Sequence, residues 1–318
     1  FLLAVASVEV YGVILAGWSS NNKYSLLGAL RASSQVISYE LGMGLAIIAV
    51  LLIAGDLGTH ALVRHQGVFE SVAVPESGIT VDTQTVSSGF WNWHILALFP
   101  FGLIAALVYM VSMIAETNRA PFDLPEAETE LVAGFHTEYT SFKFAMFFMG
   151  EYANMMIVSA ICVTLFLGGY LAPWGPLGQL PASFGAFFPP VVLNAINHCV
   201  IAPGWLFAKL YALIGFFILV RASQPRLRYD MLMSFGWKGL LPVALANVVL
   251  IALSLALQSS IGWMGHWIAV GAGGLLAAIL LFAKWSQWRA GRGAASASSP
   301  IVRPSVAVPT APNVSREL

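Results

Sequence analysis

Residues 36 to 55 read Val36-Ile37-Ser38-Tyr39-Glu40-Leu41-Gly42-Met43-Gly44-Leu45-Ala46-Ile47-Ile48-Ala49-Val50-Leu51-Leu52-Ile53-Ala54-Gly55, twenty positions with one charge. A helix that crosses ~30 Å of hydrocarbon needs roughly 20 mostly apolar residues, so this stretch reads as a membrane span. Six others approach the same length: 1–18, 93–115, 143–168, 203–220, 239–257 and 265–284. The expected fold is an all-α, polytopic transmembrane helix bundle over residues 1–288. Pro203 opens the fifth span, where the first turn has no partner for an N–H in any case. The shorter stretch 187–200 holds Asn194, Asn197 and His198 and is expected to be interfacial or re-entrant.

Composition agrees with a lipid-facing surface. Only 9% of the 318 residues are charged, against about a quarter in soluble domains, and mean hydropathy is +0.79. A formal charge of zero gives no nucleic-acid footprint. Trp18, Trp91, Trp93, Trp174, Trp237, Trp263, Trp267, Trp285 and Trp288 fall near span ends, as an aromatic belt requires. Cys162 and Cys199 stand in apolar surroundings with no CxxC or Cys/His spacing, so neither a metal site nor an iron–sulfur cluster is expected. The histidines, His60 and His65 among them, are scattered and do not pair across spans as haem ligands would. The chain is apolar from Phe1, with no initiator Met and no basic flank, and an upstream portion carrying further spans is expected.

Lys and Arg set the orientation. Thirteen of the fifteen (Lys23, Arg31, Arg119, Lys143, Arg221, Arg226, Arg228, Lys238, Lys284, Arg289, Arg292, Arg303 and Arg316) fall on one side of these spans, Arg64 on the other, and Lys209 within a span. The basic side is therefore cytoplasmic. The outward segment 56–92 is expected to be irregular or short-helical, and 168–190 is a Gly/Pro-rich outward loop. Residues 289–318, rich in Ala, Ser, Pro and Val, cannot bury a core and are expected to form a disordered cytoplasmic tail.

Between the third and fourth spans lies a cytoplasmic hairpin, 116–142, whose first sixteen residues hold Glu116, Asp123, Glu126, Glu128 and Glu130, with Glu138 further on. Packing does not call for such acidity. Within the spans stand Glu9, Glu40, Glu151 and Lys209, each costing roughly 2.5 to 3.5 kcal/mol on insertion scales unless it faces protein or water. A single Glu of this kind is often a helix-packing hydrogen bonder. Taken together they describe a run of carboxylates from the inner surface toward the midplane, with Lys209 near its far end. Clustered carboxylates in a low dielectric cannot all ionise, so they share protons as a coupled set. Arg31, Arg119, Arg226 and Arg228 have a plainer reading as topology signals.

Gly28-Ala29-Leu30-Arg31-Ala32, Gln35-Val36-Ile37-Ser38-Tyr39-Glu40, Glu116-Thr117-Asn118-Arg119-Ala120-Pro121-Phe122-Asp123-Leu124, Phe148-Met149-Gly150-Glu151-Tyr152 and Arg226-Leu227-Arg228-Tyr229-Asp230 follow one another in the order found in a known family. They resemble the H-type membrane subunit of the proton-pumping NADH:quinone oxidoreductase, respiratory complex I, the counterpart of its mitochondrial subunit 1. The resemblance implies a bacterial inner-membrane subunit that forms the membrane-side part of the quinone tunnel. It implies no redox centre on this chain: flavin and iron–sulfur clusters sit on partners, and quinone binds as substrate at a shared site. Implied partners are the peripheral-arm quinone-site and iron–sulfur subunits, small membrane subunits and antiporter-like subunits. Carried over by position, Glu9, Glu40, Glu116, Asp123, Glu126, Glu128, Glu130, Glu138 and Glu151 belong to the proton path. Arg31, Arg119, Phe122, Arg226, Arg228 and Asp230 shape the quinone cavity. The equivalent subunit of a membrane-bound hydrogenase or ferredoxin-linked complex is the near alternative. A stand-alone secondary transporter is the more distant one, and no fixed-period repeat supports it.

Overall fold

The computed structural model describes residues 2–67, 69–73, 80–84, 89–96, 99–123, 134–174, 192, 196–262 and 264–274. Glu126, Glu128, Glu130, most of the 168–190 loop, most of 187–196, Trp263, the second half of the 265–284 stretch and the 289–318 tail lie outside the described residues. Two compact units divide the chain, Phe1–Val270 and Gly271–Leu318. In the second, residues 271–274 are helical.

The first unit is a helix bundle. Its elements are α1 (Leu2–Ala6), α2 (Glu9–Ser19), α3 (Lys23–Ala54), α4 (Thr59–His65), β1 (Phe69–Ala73), β2 (Thr80–Gln84), α5 (Phe101–Glu116), α6 (Ser141–Phe166), α7 (Ala202–Ser223), α8 (Tyr229–Phe235) and α9 (Leu241–Ile261). Four helices are long and apolar enough to cross a membrane: Lys23–Ala54, Ser141–Phe166, Cys199–Ser223 and Tyr229–Ile261. Two shorter apolar helices, Ala4–Ser19 and Phe101–Glu116, accompany them.

α3 organises the rest. Asn22, in extended backbone, caps it by accepting from the Tyr24 N–H at 3.0 Å, and Gly55 ends it at φ 73°, a conformation that glycine adopts without strain. At ~1.5 Å per residue, this 32-residue helix is about 48 Å long and outruns the apolar stretch 36–55 at its N-terminal end. One face, Tyr39, Met43, Ala46, Ala49 and Val50, is fully buried. It packs on Ala105, Tyr109 and Met113 of α5 and, beyond them, Val158, Cys162 and Phe166 of α6. The three- and four-residue spacing of each set is that of a single helical face.

In lipid both faces of a helix are apolar, so small residues and interhelical hydrogen bonds do the selecting. Ala46, Ala49, Ala105 and Ala106 allow close approach. Tyr109 donates to the Val158 carbonyl at 3.0 Å, Tyr39 to the Leu232 carbonyl at 2.9 Å, and the Asn247 amide to the Phe101 carbonyl at 3.2 Å. Large apolar side chains such as Phe207, Tyr211, Ile218 and Leu219 of α7 point outward.

Two features depart from the sequence expectations. Within 56–92, β1 and β2 pair antiparallel, with Phe69 opposite Gln84 and Ala73 opposite Thr80. Valine and threonine favour such a ladder, and the sequence between the strands holds Pro75 and Gly78, residue types common in turns. The fifth helix begins upstream of Pro203, with a π turn at Asn197–Ile201 running into α7. A second π turn, Gly236–Leu240, precedes Pro242 in the same way. Proline donates no hydrogen bond and crowds the carbonyl four residues back, and a wider turn accommodates it.

Candidate functional site

The C-terminal end of α5 meets the middle of α3 at a turn, Thr117–Asp123. Buried Gln35 holds it by donating to the Ala115 carbonyl at 2.7 Å and the Phe122 carbonyl at 2.8 Å. Leu227 adds a backbone bond to Pro121 at 3.1 Å, and the Phe122 ring packs 5.6 Å from that of Tyr39. Asn118 turns the chain at φ 49°. The result places Glu116, Asn118 and Arg119 against the interior rather than in solvent.

Glu9 from α2, Glu40 from α3 and Glu116 from α5 line one chamber with Ser33, Asn118 and Asn154. Its volume is about 20 Å³, room for one water molecule. Two larger spaces adjoin this group. Glu9, Asn118 and Asn154 also line an apolar cleft of about 520 Å³ that reaches Glu151, and Glu40 also lines a groove of about 580 Å³ along α3. Glu116 is buried, and its Oε2 has no hydrogen-bond partner among the described residues; neither has Asn118 Oδ1. Arg119 stands 3.9 Å from Glu151 and lies over the Tyr152 ring at 4.4 Å. Carboxylates from four helices thus border connected spaces, the arrangement in which a proton can be held and passed by small rearrangements.

The returning limb of the hairpin packs on α2 and α3. Asn22 donates to Glu138 at 3.0 Å, Tyr139 to the Ala16 carbonyl at 3.1 Å, and Ser25 to the Phe135 carbonyl at 3.3 Å. Gly28 and Gly134 touch backbone to backbone: a Cβ on Gly28 would meet the Gly134 Cα at 2.7 Å. His136 is buried among Phe135, Phe144, Phe147 and Phe148, and neither ring nitrogen has a partner among the described residues. Burial pushes its pKa down to about 4, so it is neutral at pH 7. A lone histidine carries no spacing signal, and nothing in the sequence singles this one out.

The expected quinone-cavity residues divide into two groups. Phe122 is buried in the turn; Asp123 pairs with Arg226 at 2.8 Å; Arg31 lies over the Tyr229 ring at 5.1 Å, and Ser34 meets the Tyr229 hydroxyl at 3.2 Å. Arg228 and Asp230 flank Tyr229 and are exposed.

The structure does not bring Lys209 to the carboxylates. Its ammonium donates to the carbonyls of Leu167 at 2.6 Å, Gly169 at 2.9 Å and Leu171 at 2.6 Å, and it lies 4.2 Å from the centre of the Trp93 ring. Gly168 and Gly169, at φ 73° and 53°, turn those carbonyls inward. Sixteen residues of α6, about 24 Å, separate Glu151 from this cage. Gln66 knits the same end, accepting from the His94 and Gly168 N–H groups at 3.2 and 2.9 Å and donating to the Thr164 carbonyl at 2.9 Å. His94 Nδ1 donates to the Leu165 carbonyl at 2.8 Å, so its Nε2 accepts from His65 at 3.2 Å. No sequence spacing announced this cluster.

Residues 1–252 match the family model described as NADH dehydrogenase. An H-type NADH-quinone oxidoreductase subunit of Koribacter versatilis is 47% identical over 257 residues, covering 81% of this chain and 62% of that protein. NADH-quinone oxidoreductase subunit 8 of Rhodothermus marinus is 46% identical over 259 residues (81% and 67%), and the H-type subunit of Salinibacter ruber 47% over 267 (82% and 67%). The chain spans about three-fifths to two-thirds of the length of these relatives.

Proposed function

As a chain that belongs to the NADH dehydrogenase family, this protein is, we propose, a membrane subunit of a bacterial NADH-quinone oxidoreductase that couples quinone reduction to proton movement. The observation that carries the reading is the convergence of Glu9, Glu40 and Glu116 on one water-sized chamber, with Glu151 on the adjoining cleft. Quinone reduction beside the Thr117–Asp123 turn changes the local charge, and carboxylates that share protons answer by redistributing them. Arg119 sits between the turn and Glu151 and is placed to pass that change on. Asp123, Glu138 and the acids at 126, 128 and 130 would feed the chamber from the hairpin. Arg31, Phe122, Arg226, Arg228 and Asp230 would form the chain's share of the quinone cavity, completed by neighbouring subunits that carry flavin and iron–sulfur clusters.

The membrane placement follows from the apolar helices, and the basic side, with hairpin and tail, would be cytoplasmic. The test uses the intact complex in proteoliposomes. Glu40→Gln and Glu151→Gln should each lower NADH:quinone turnover and proton pumping together, by about tenfold or more, the scale of a lost proton-transfer group. Two fully assembled variants that pump at the wild-type rate would refute the relay.

A further inference from the structure

A chamber that takes up protons inside a membrane protein is useful only if they cannot run on through the bundle. From the chamber a trail of unsatisfied polar atoms leads toward the other end. Ser112 Oγ lies one helical turn from Glu116 on α5, and Ser159 Oγ lies on α6 about midway between Glu151 and Leu167; both are buried without a hydrogen-bond partner among the described residues. Such atoms can bind water, and water carries protons. The trail heads toward the Lys209 cage at the end of α6.

We propose that Lys209 is an electrostatic plug that blocks outward proton leakage from the carboxylate chamber, a role that rests on the proton-coupling reading above. The geometry of the cage identifies the charged form. Three carbonyl oxygens at 2.6 to 2.9 Å match the three N–H bonds of an ammonium, whereas a neutral amine would aim its lone pair at one of them. With every donor used and no lone pair, this group neither accepts nor passes on a proton. Its charge repels a hydronium approaching along the bundle, as fixed positive charges do in pores that exclude cations. The Trp93 face stabilises the cation from another side. Lys209 is therefore set apart from the relay it was expected to join, and its task is insulation.

The test measures passive proton entry into proteoliposomes that contain the whole complex, with quinone turnover blocked by an inhibitor, a pH gradient imposed and a pH dye trapped inside. Protein-free vesicles set the baseline. Wild type and Lys209→Arg should be equally tight. Lys209→Met should admit protons about tenfold faster, the scale set by removing one charge about 10 Å from the path, while uninhibited turnover stays near normal. If the methionine variant does not assemble, Lys209→Gln, which still donates two hydrogen bonds to the cage, serves in its place. The plug is overturned if the neutral variants are as tight as wild type, or if Lys209→Arg leaks as they do. It is likewise overturned if both neutral variants fail to assemble while Lys209→Arg assembles, because Lys209 then belongs to the fold alone. A wild-type complex that does not pump during turnover would sink the coupling reading, a result separate from the leak measurement.

Discussion

The two ends of the α5–α6 pair handle buried polarity in opposite ways. At the hairpin end, Glu116 Oε2, Asn118 Oδ1, Gln35 Oε1, an Arg119 nitrogen and both His136 nitrogens lack hydrogen-bond partners among the described residues. At the far end, Lys209 uses all three donors, Gln66 bonds through both its amide atoms, and His94 through both ring nitrogens and its backbone N–H. The Trp93 indole N–H is the exception there. An unsatisfied buried polar atom costs about 1–3 kcal/mol, so the hairpin end forgoes stability that the far end keeps. Groups with spare lone pairs can accept a proton or a water; groups fully bonded cannot. One end is built to change its protonation, and the other to stay as it is.

Three perturbations probe this contrast beyond the carboxylate and lysine variants above. The largest effect is expected at the far end. Gln66→Leu strands the His94 and Gly168 N–H groups and should lower unfolding stability by about 2–4 kcal/mol, read as a drop in thermal midpoint of the solubilised complex. Turnover of the complex that remains folded should stay close to wild type. A turnover loss as large as that of Glu40→Gln would erase the distinction between the ends.

The next concerns acid. His136 is neutral in its phenylalanine cage down to about pH 4, whereas the unfolded chain takes up that proton near 6.5. Below 6.5 the unfolded state binds more protons, so this residue's effect is full stability above 6.5 and a progressive loss as pH falls toward 4. Comparing thermal midpoints at pH 7.5 and 5 should show that loss in wild type and a smaller one in His136→Phe. Equal losses in both proteins would place the acid sensitivity elsewhere. The smallest effect belongs to Arg226→Gln. Its partner Asp123 is buried but the arginine is half exposed, so the pair is worth about 1 kcal/mol or less to stability. A change in quinone affinity larger than the change in stability would give Arg226 a part in the cavity.

Much of the bundle was legible because apolar length is a one-dimensional signal: residues 36–55, 143–168 and 239–257 all coincide with long helices. Glu40, Glu116 and Glu151 stood out for the same reason, as charges in apolar runs. That Glu9, Glu40 and Glu116 share a chamber was not legible, since it depends on how α2, α3 and α5 cross. Gln35 and Lys209 act on backbone carbonyls, and every residue has one, so their partners leave no trace in composition or spacing. The aromatic cage of His136 becomes visible only when the 134–136 turn is laid against α6. The β1–β2 ladder was missed because its alternation is short and weak beside the spans.

Gly28 and Gly134 meet with no side chain to cushion the contact. A displacement of the hairpin's returning limb would therefore press on the main chain of α3 itself. Twelve residues further along that rod, about 18 Å, stands Glu40, so the junction behaves as the short arm of a lever whose long arm ends on an acid. Substituting a bulkier residue at either glycine would wedge the arm open permanently, fixing mechanically what the intact protein leaves free to swing.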